Sequence, residues 1–382
     1  MKKIIAILLA LVLVFSLAAC APAPEEMAAE EPAAAEEPAA EVEMEEEVDN
    51  VTGKTVGFIN AGPDDYYAQF GDAFKAIGAA VGLEVIELNS DYKPEQELAN
   101  VQDMIAQGVD AIAVITAGAA GSAASISEAN DAGVPIFFIA GRPELDPGTE
   151  LTGHVTDNFV MMGYQVGQWV AENYPEADKI VNIPGFLGQG PAEGEIVGFD
   201  MALAEAGMGP AILTASSEWQ RPLAVPIAED LLAGGDSDFD VLFACNEETF
   251  FGVLQVFEEQ EVTDKVVVSC NGKDDAWPNL VDGTLGATSP NPPSLNADLC
   301  IQQIIAHFNG TDFVQYLQIE PPGVLTADNV ATAVPWTVSD YLEGRAADEF
   351  QWKLSDYEAA YLANTASFEK FDEKLNEYLA TH

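Results

Sequence analysis

Between Lys54 and Gly118 the apolar residues switch repeatedly between two periods, and this restricts the fold more than any other feature of the chain. Thr55-Val-Gly-Phe-Ile59 is a short run with β-branched residues, closed by the turn residues Asn60-Ala-Gly-Pro63. Phe70, Phe74, Ile77 and Val81 then recur at helical spacing until Gly82 ends the segment. Glu84–Leu88 alternates, Pro94–Gln107 is a second amphipathic helix closed by Gly108, and Asp110–Ile115 is almost wholly apolar. A strand without polar alternation is buried on both faces, as in a parallel sheet. Helices alternating with such strands predict a doubly wound α/β domain. Ligands in such sheets bind beyond the carboxyl ends of the strands, so the loop Asn60–Tyr67 is the first place to look for a site.

The alternation continues through a helix at Ser122–Ala132, a strand at Val134–Ile139, a short crossing strand at Thr152–Val155 and a helix at Phe159–Tyr174. It then restarts with strand Ile180–Ile183, helix Ala192–Ala206, strand Ala211–Ala215, helix Leu223–Ala233 and strand Val241–Ala244. Helix Thr249–Gln260, strands Val266–Ser269 and Leu285–Thr288, and helix Asn296–Phe308 complete it. Two successive halves predict two similarly built Rossmann-like lobes. In the tail, Phe368, Phe371, Leu375 and Leu379 recur at helical spacing, which predicts a helix packed on the body; a contact surface for a partner is the alternative.

The N-terminus carries export signals. Met1-Lys-Lys3 followed by the apolar stretch Ile4–Leu17 and Leu17-Ala-Ala-Cys20 has the shape of a secretory signal and is too short for a spanning helix. The Cys directly after Leu-Ala-Ala matches a bacterial lipobox, which makes Cys20 the expected lipidation site and the outer face of the cell membrane (or its periplasmic side) the expected location. Residues 21–50 hold twelve acidic residues and no Lys or Arg, so this acidic Ala/Pro/Glu stretch is expected to be a disordered tether.

The remaining body is too long for one compact core. The chain has a formal net charge of −50, which argues against nucleic acid as a partner, since that needs a basic footprint. Cys245, Cys270 and Cys300 show no CxxC spacing and read as three small buried thiols, although Cys245 and Cys270 each end a strand. His154, His307 and His382 are scattered, so no metal site and no cofactor is expected. No Gly-x-Ser-x-Gly elbow or His-centred triad suggests an enzyme.

The order and spacing of several segments carry a resemblance. They are Val56-Gly-Phe-Ile-Asn60 with Tyr66-Tyr67, Glu97-Leu-Ala-Asn-Val-Gln-Asp-Met104, Gly133-Val-Pro-Ile136, Thr156-Asp-Asn158, Gly198-Phe199 and Phe243-Ala-Cys-Asn-Glu247. Over roughly Thr55 to Gly344 the chain resembles the ribose/galactose-binding type of periplasmic binding protein (type I), the sugar receptors of ABC transporters, in a lipoprotein form. The resemblance implies two lobes joined by a three-segment hinge and closing on a ligand. The crossings are expected near Thr152–Thr156, Ser289–Pro292 and Pro322–Thr326. The N-lobe then comprises residues 51–153 and 292–322, the C-lobe 154–291 and 323–345, and a helical extension 346–382. It implies a monomer that binds a small polar solute and delivers it to the transmembrane subunits of an ABC permease. A ligand-sensing ectodomain feeding a chemoreceptor or kinase is the alternative.

Tyr66 and Tyr67 stand where relatives place aromatics against a sugar ring, although one of the pair can serve as core packing instead. Trp219 matches a further aromatic position. Asn60 and Asp64 flank the first loop, and Arg142 follows a strand end where a guanidinium can grip hydroxyls or a carboxylate, a surface ion pair being its alternative. Asn246, Asn271 and Asn291 offer both donors and acceptors near the cleft, though Asn291 also suits a turn for local reasons. Sugar-binding relatives carry Asp-Arg where this chain has Gly141-Arg142, many carry Arg where it has Ala192-Glu-Gly-Glu195, and a strand-end Asp is Asn271 here. Glu195 in an Arg position suits a ligand richer in donors, including a nucleoside or cationic metabolite. Phe186, Phe250 and Trp277 are expected to leave room for a flat or methylated group. The Gly-rich loop Gly185–Gly190 is not GxGxxG and reads as a flexible cleft loop.

Overall fold

The computed structural model describes residues 50–188, 190–346 and 353–381, within a compact unit running from Val48 to His382. The signal segment, Cys20 and all but the last residue of the tether lie outside the described residues. No helix among the described residues is long and apolar enough to cross a membrane.

The chain opens with β1 (Thr55–Asn60), α1 (Asp65–Ala80), β2 (Glu84–Asn89), α2 (Pro94–Gln107), β3 (Ala111–Val114), α3 (Ala119–Ala132), β4 (Ile136–Ile139) and β5 (Gly153–Asp157). It restarts with α4 (Phe159–Asn173), β6 (Ile180–Ile183), α5 (Pro191–Glu205), β7 (Ile212–Leu213), α6 (Arg221–Ala233), β8 (Val241–Ala244), α7 (Glu247–Glu259), β9 (Val266–Asn271), α8 (Trp277–Asp282) and β10 (Thr288–Pro290). Then come α9 (Pro293–Asn309), β11 (Tyr316–Ile319), α10 (Val338–Ala346), α11 (Leu354–Ala363) and α12 (Thr365–Leu379). Two parallel sheets result, ordered β11-β5-β4-β3-β1-β2 and β10-β9-β8-β6-β7. Each first strand sits inside its sheet and the order reverses beside it, the doubly wound arrangement that opens a crevice at the strand ends.

The all-apolar strands explain both sheets. Ala111–Val114 and Ile136–Ile139 are buried at every position and have helices on either side. One face of the first sheet packs Phe58 on Phe74 with centroids 4.6 Å apart; the other packs Ile112, Val114 and Phe138 against Val101 and Met104. In the second sheet Phe243 stacks on Phe199 at 4.5 Å on one face, while Leu242 and Phe250 share the other. Cys245, Cys270 and Cys300 are free and buried, as expected.

The lobe boundaries differ from expectation. β5 pairs with β4 and β11, so Gly153–Asp157 is a full strand of the first lobe and the chain leaves only after Asp157. The strand expected at Leu285–Thr288 forms at Thr288–Pro290, where it pairs with Ser269–Asn271. The stretch 323–345 is not all in the second lobe. Leu325 bridges Thr288, and Val330 packs in the second lobe's core. Trp336 then meets Tyr66, and Tyr341 is buried in the first lobe's core with its hydroxyl donating to Asp298 Oδ2 at 2.7 Å. Val334, Val338, Tyr341 and Leu342 form an apolar stripe that finds its cover on the first lobe, and this draws the chain back across.

The tail crosses once more. α11 lies along the first lobe, with Glu358 accepting from the backbone N–H of Val314. α12 packs on α4 and α5 of the second lobe through Phe371 and Leu375, while Phe368 meets Tyr361 of α11; all three are buried, as the spacing predicts. Leu379, expected on the same stripe, is 41% exposed because the helix ends there. The helix still reaches the first lobe, where Asp372 accepts from Gln318 at 3.0 Å and Asn376 from Arg142 at 2.6 Å.

Candidate ligand site

Between the lobes lies a cleft with about 750 Å³ of space between atoms, its open mouth included. Its first-lobe wall comes from the loops after β1, β3 and β4: Asp64, Asp65, Tyr66, Tyr67, Ile115, Thr116, Ala140 and Gly141. Its second-lobe wall is Phe159, Pro191, Glu195, Trp219, Asn246, Glu247, Glu248, Asn271 and Lys273, with Asn291 and Trp336 on crossings. Of the residues expected to bind ligand, the structure brings Asp64, Tyr66, Tyr67, Glu195, Trp219, Asn246, Asn271 and Asn291 to this cleft.

On the first-lobe wall, polar groups are largely satisfied internally. Asp64 caps α1 by accepting from the Tyr67 N–H at 3.1 Å, and its other oxygen accepts from the Tyr92 hydroxyl. Burial raises its pKa. Tyr66 packs edge-on against Tyr67, Phe70 and Trp336, each centroid 5.4 Å away, and its hydroxyl has no hydrogen-bond partner. Tyr67 is both cleft wall and core. Glu97 stands behind this wall and accepts from Thr116, Ala117 and Ser125 at 2.7–2.9 Å, which fixes the loop after β3.

Two expectations fail on this side. Asn60 does not line the cleft: its amide is turned under α1, donating to the Tyr67 carbonyl at 2.6 Å and to Glu87 at 3.0 Å. Arg142 does not line it either. The backbone is left-handed at Ala140 (φ 50°) and Gly141 (φ 59°), which presents those two residues to the cleft and sends the guanidinium to Asn376. Phe186, Phe250 and Trp277 also lie elsewhere. Phe186 stacks on Tyr92, Phe250 is core, and Trp277 packs on that core with its indole N–H donating to Gly272.

The second-lobe wall is acidic and less satisfied. Glu195 is 2% exposed and its Oε2 has no hydrogen-bond partner. Glu247 is 1% exposed; its Oε1 accepts from the Gly272 N–H at 2.8 Å and the Thr288 hydroxyl at 2.6 Å, but its Oε2 has no partner. Burial pushes the Glu247 carboxyl up to about 8. Burial, then the Glu247 charge, then Glu193 hold Glu195 well above the usual carboxylate range. Gly163 sets the position of Glu195: a Cβ there would come within 2.8 Å of the Glu195 Cα, so glycine lets α4 lie directly on the backbone of α5. Asn246 is spent locally, capping α7 through the Thr249 N–H and donating to the Trp219 carbonyl at 3.1 Å. Trp219 holds φ 64°, an unusual state for a side chain so bulky and one that clusters at functional sites, and Asn271 holds φ 89°. The loop after β6 is tethered rather than loose, since the Gly188 and Gly190 N–H groups donate to Glu193 at 2.5 and 3.1 Å.

Lys273 is the only cationic side chain among the described lining residues, and it is neutralised. It pairs with Asp65 at 2.7 Å, Glu248 at 2.8 Å and Asp275 at 3.0 Å. The Asp65 contact joins the two lobes, as does the stacking of Tyr92 on Phe186 at 6.3 Å. Trp336 escaped sequence reasoning because its segment reads as second-lobe chain. Its indole donates to the Asn271 carbonyl at 2.9 Å while its ring meets Tyr66. A lone Trp after Pro335 was the signal available. No group of three His, Cys, Asp or Glu able to hold a metal ion occurs among the described residues.

Two doubly wound lobes that share a cleft at their strand ends have an architecture suited to enclosing a small solute. The sequence profile described as periplasmic binding protein domain matches residues 56–312, and the chain belongs to that family. It is 24% identical to the ribose import binding protein of Escherichia coli over 228 residues, 60% of this chain and 75% of the relative. It is 24% identical to a xylitol-binding protein of Mycolicibacterium smegmatis over 271 residues, 69% of this chain and 76% of the relative. Among solved structures, the periplasmic binding component of an arabinose ABC transporter from Shewanella superposes with a TM-score of 0.69 at 22% identity, covering 78% of this chain and 99% of that one. A myo-inositol-binding protein from Caulobacter gives 0.68 at 17% identity, covering 73% and 95%. These relatives are binding proteins and not enzymes, and the type I fold expected from the sequence is the fold observed.

Proposed function

We propose that this protein is an exported, lipid-anchored receptor of an ABC importer that closes on a small polyhydroxylated solute and hands it to a permease. The observation that carries the reading is the cleft itself, where aromatic faces from both lobes (Tyr66, Tyr67, Trp219) converge with amides and carboxylates. Sugar C–H faces pack on aromatic rings, and amides serve hydroxyls as both donors and acceptors. The ligand contacts are Asp64, Tyr66, Tyr67, Glu195, Trp219, Asn271, Asn291 and Trp336. Ligand contacts from both lobes exist together only in the closed form, so solute binding shifts an open–closed equilibrium about the crossings. The ligands named for the relatives, ribose, xylitol, arabinofuranose and myo-inositol, support a polyol or sugar class. Cys20 provides the membrane anchor, at the end of Leu17-Ala-Ala-Cys20.

A thermal-shift screen of the purified chain against pentoses, hexoses, polyols and amino sugars tests the reading, since a ligand that binds only the native state raises Tm. A rise with at least one of them is expected. No response from any member of the panel would overturn the assignment. Metabolic labelling with a fatty acid, abolished by Cys20→Ala, checks the anchor.

A further inference from the structure

The second-lobe wall contains two carboxylates that the protein leaves without a positive partner. Glu195 and Glu247 are both nearly inaccessible, both line the cleft, and each has one carboxylate oxygen with no hydrogen-bond partner. The one lining cation, Lys273, is already held by Asp65, Glu248 and Asp275. The guanidinium that could have faced them, Arg142, is turned to the tail helix instead. Buried charges are costly unless paired, and buried acceptors cost free energy unless filled. Two buried, unpartnered oxygens on residues that line a ligand cleft therefore point to donors on the ligand. The surrounding walls suit a positive group, because Trp219, Tyr66, Phe159 and Trp336 line the same cavity and aromatic faces attract cations.

We propose that the solute carries a protonated amine in addition to hydroxyl groups, in the manner of an amino sugar or an aminocyclitol, and that the ammonium is held by Glu195 and Glu247. An ammonium has three N–H donors and fills both orphan oxygens with charge-assisted hydrogen bonds, leaving one donor for a neighbouring hydroxyl or amide. The ring of the same molecule lies against Trp219 and the tyrosines. An inorganic cation is a poorer occupant, because no third His, Cys, Asp or Glu joins the pair among the described residues. A neutral sugar can satisfy the oxygens only by hydroxyl donation or if the carboxyls carry the protons themselves. The competition between these occupants is the measurable point. The inference rests on the cleft being the solute site.

The test compares three forms of one skeleton by titration calorimetry on the purified chain at pH 7: the free amine (D-glucosamine, D-galactosamine), the hydroxyl parent (D-glucose, D-galactose) and the N-acetyl derivative. The free amine is expected to bind more tightly than both others by on the order of 10- to 100-fold, the range for a hydrogen bond to a charged group. Glu195→Gln should collapse this ratio towards one, because an amide keeps the shape but cannot release a proton to become the carboxylate that pairs with the ammonium. Should that variant fail to fold, the wild-type ratio alone decides. Equal or tighter binding of the parent or N-acetyl sugar would overturn the inference while leaving the solute-receptor reading intact. No binding by any sugar, polyol or amino sugar would remove both.

Discussion

The two walls of the cleft are built from the same kind of element, loops at the carboxyl ends of parallel strands, yet they are finished differently. On the first lobe the polar groups mostly answer one another: Asp64 caps α1 and takes the Tyr92 hydroxyl, and Glu97 holds the loop behind. On the second lobe Glu195 and Glu247 each keep a buried oxygen open; left-handed backbone occurs on both walls, at Ala140 and Gly141 on the first and at Trp219 and Asn271 on the second. A wall whose carboxylates are satisfied in the free protein supplies shape and an apolar face. A wall with unsatisfied carboxylates supplies selectivity, because only the correct ligand recovers what the fold withholds. The first wall is thus the platform and the second the discriminating surface.

The largest expected break in this comparison comes from Trp219→Ala. The side chain lies outside the hydrophobic cores, so truncation should cost affinity about 2–4 kcal/mol, as for a buried aromatic anchor, and change Tm little. Tyr66→Ala should lower affinity and Tm together, since Tyr66 also packs on the first lobe's core. Calorimetry paired with thermal denaturation separates the two outcomes, and equal behaviour of both variants would erase the distinction between walls.

Gly163→Ala sharpens the second wall without touching its side chains. The added methyl runs into the Glu195 backbone, and overpacking of this kind should destabilise by about 1–3 kcal/mol while displacing the carboxylate. Urea denaturation measures the first effect and ligand titration the second.

A pH dependence follows from the same wall. The folded-state pKa of Glu247 is raised to about 8 and that of Glu195 is raised well above normal, so in the folded protein they hold protons that the unfolded chain has already released. Burial also raises Asp157 to about 7, and it acts in the same direction. Stability should therefore fall as pH rises from about 6.5 to about 8, by up to about 1.4 kcal/mol per unit for each group that stays protonated. His154, lowered to about 4 by burial, opposes this only at lower pH, where the unfolded chain binds its proton and the folded one does not. Denaturation midpoints across pH 6.5–8 check the slope. Glu247→Gln should flatten it and Tyr66→Phe should not.

The smallest effect is expected at the joint between the walls. Lys273→Met removes the ion pair to Asp65 across the cleft, and a partly exposed pair of this kind is worth under about 1 kcal/mol. Affinity should drop a few-fold, less at high salt, and an unchanged affinity would mean that the pair does not contribute to closure.

Much of this was legible along the chain because it depends on period and position. Ala111–Val114 and Ile136–Ile139 declare themselves as two-sided strands, and Tyr66, Tyr67, Trp219, Asn246 and Asn271 stand at or just past strand ends where a doubly wound sheet must open its crevice. Asn60 and Arg142 occupy equivalent positions and still miss the cleft. A residue's place on a strand end does not determine its rotamer, and both side chains found partners elsewhere, in the first turn of α1 and on α12. Trp336 and Lys273 were invisible for the converse reason, since each acts through a contact with a residue far along the chain.

Local periodicity alone determined that this protein has two parallel α/β lobes, because burying an all-apolar strand requires helices on both of its faces. Hydrophobic spacing likewise determined that the tail forms a helix around Phe368, Phe371 and Leu375. Only the tertiary structure decided that the chain returns to the first lobe at Trp336 and that α12 then contacts both lobes. It also decided that the two open carboxylates face the cleft without a cation. Those outcomes depend on which distant surfaces are left uncovered once the lobes have formed, and no local pattern encodes the shape of an uncovered surface.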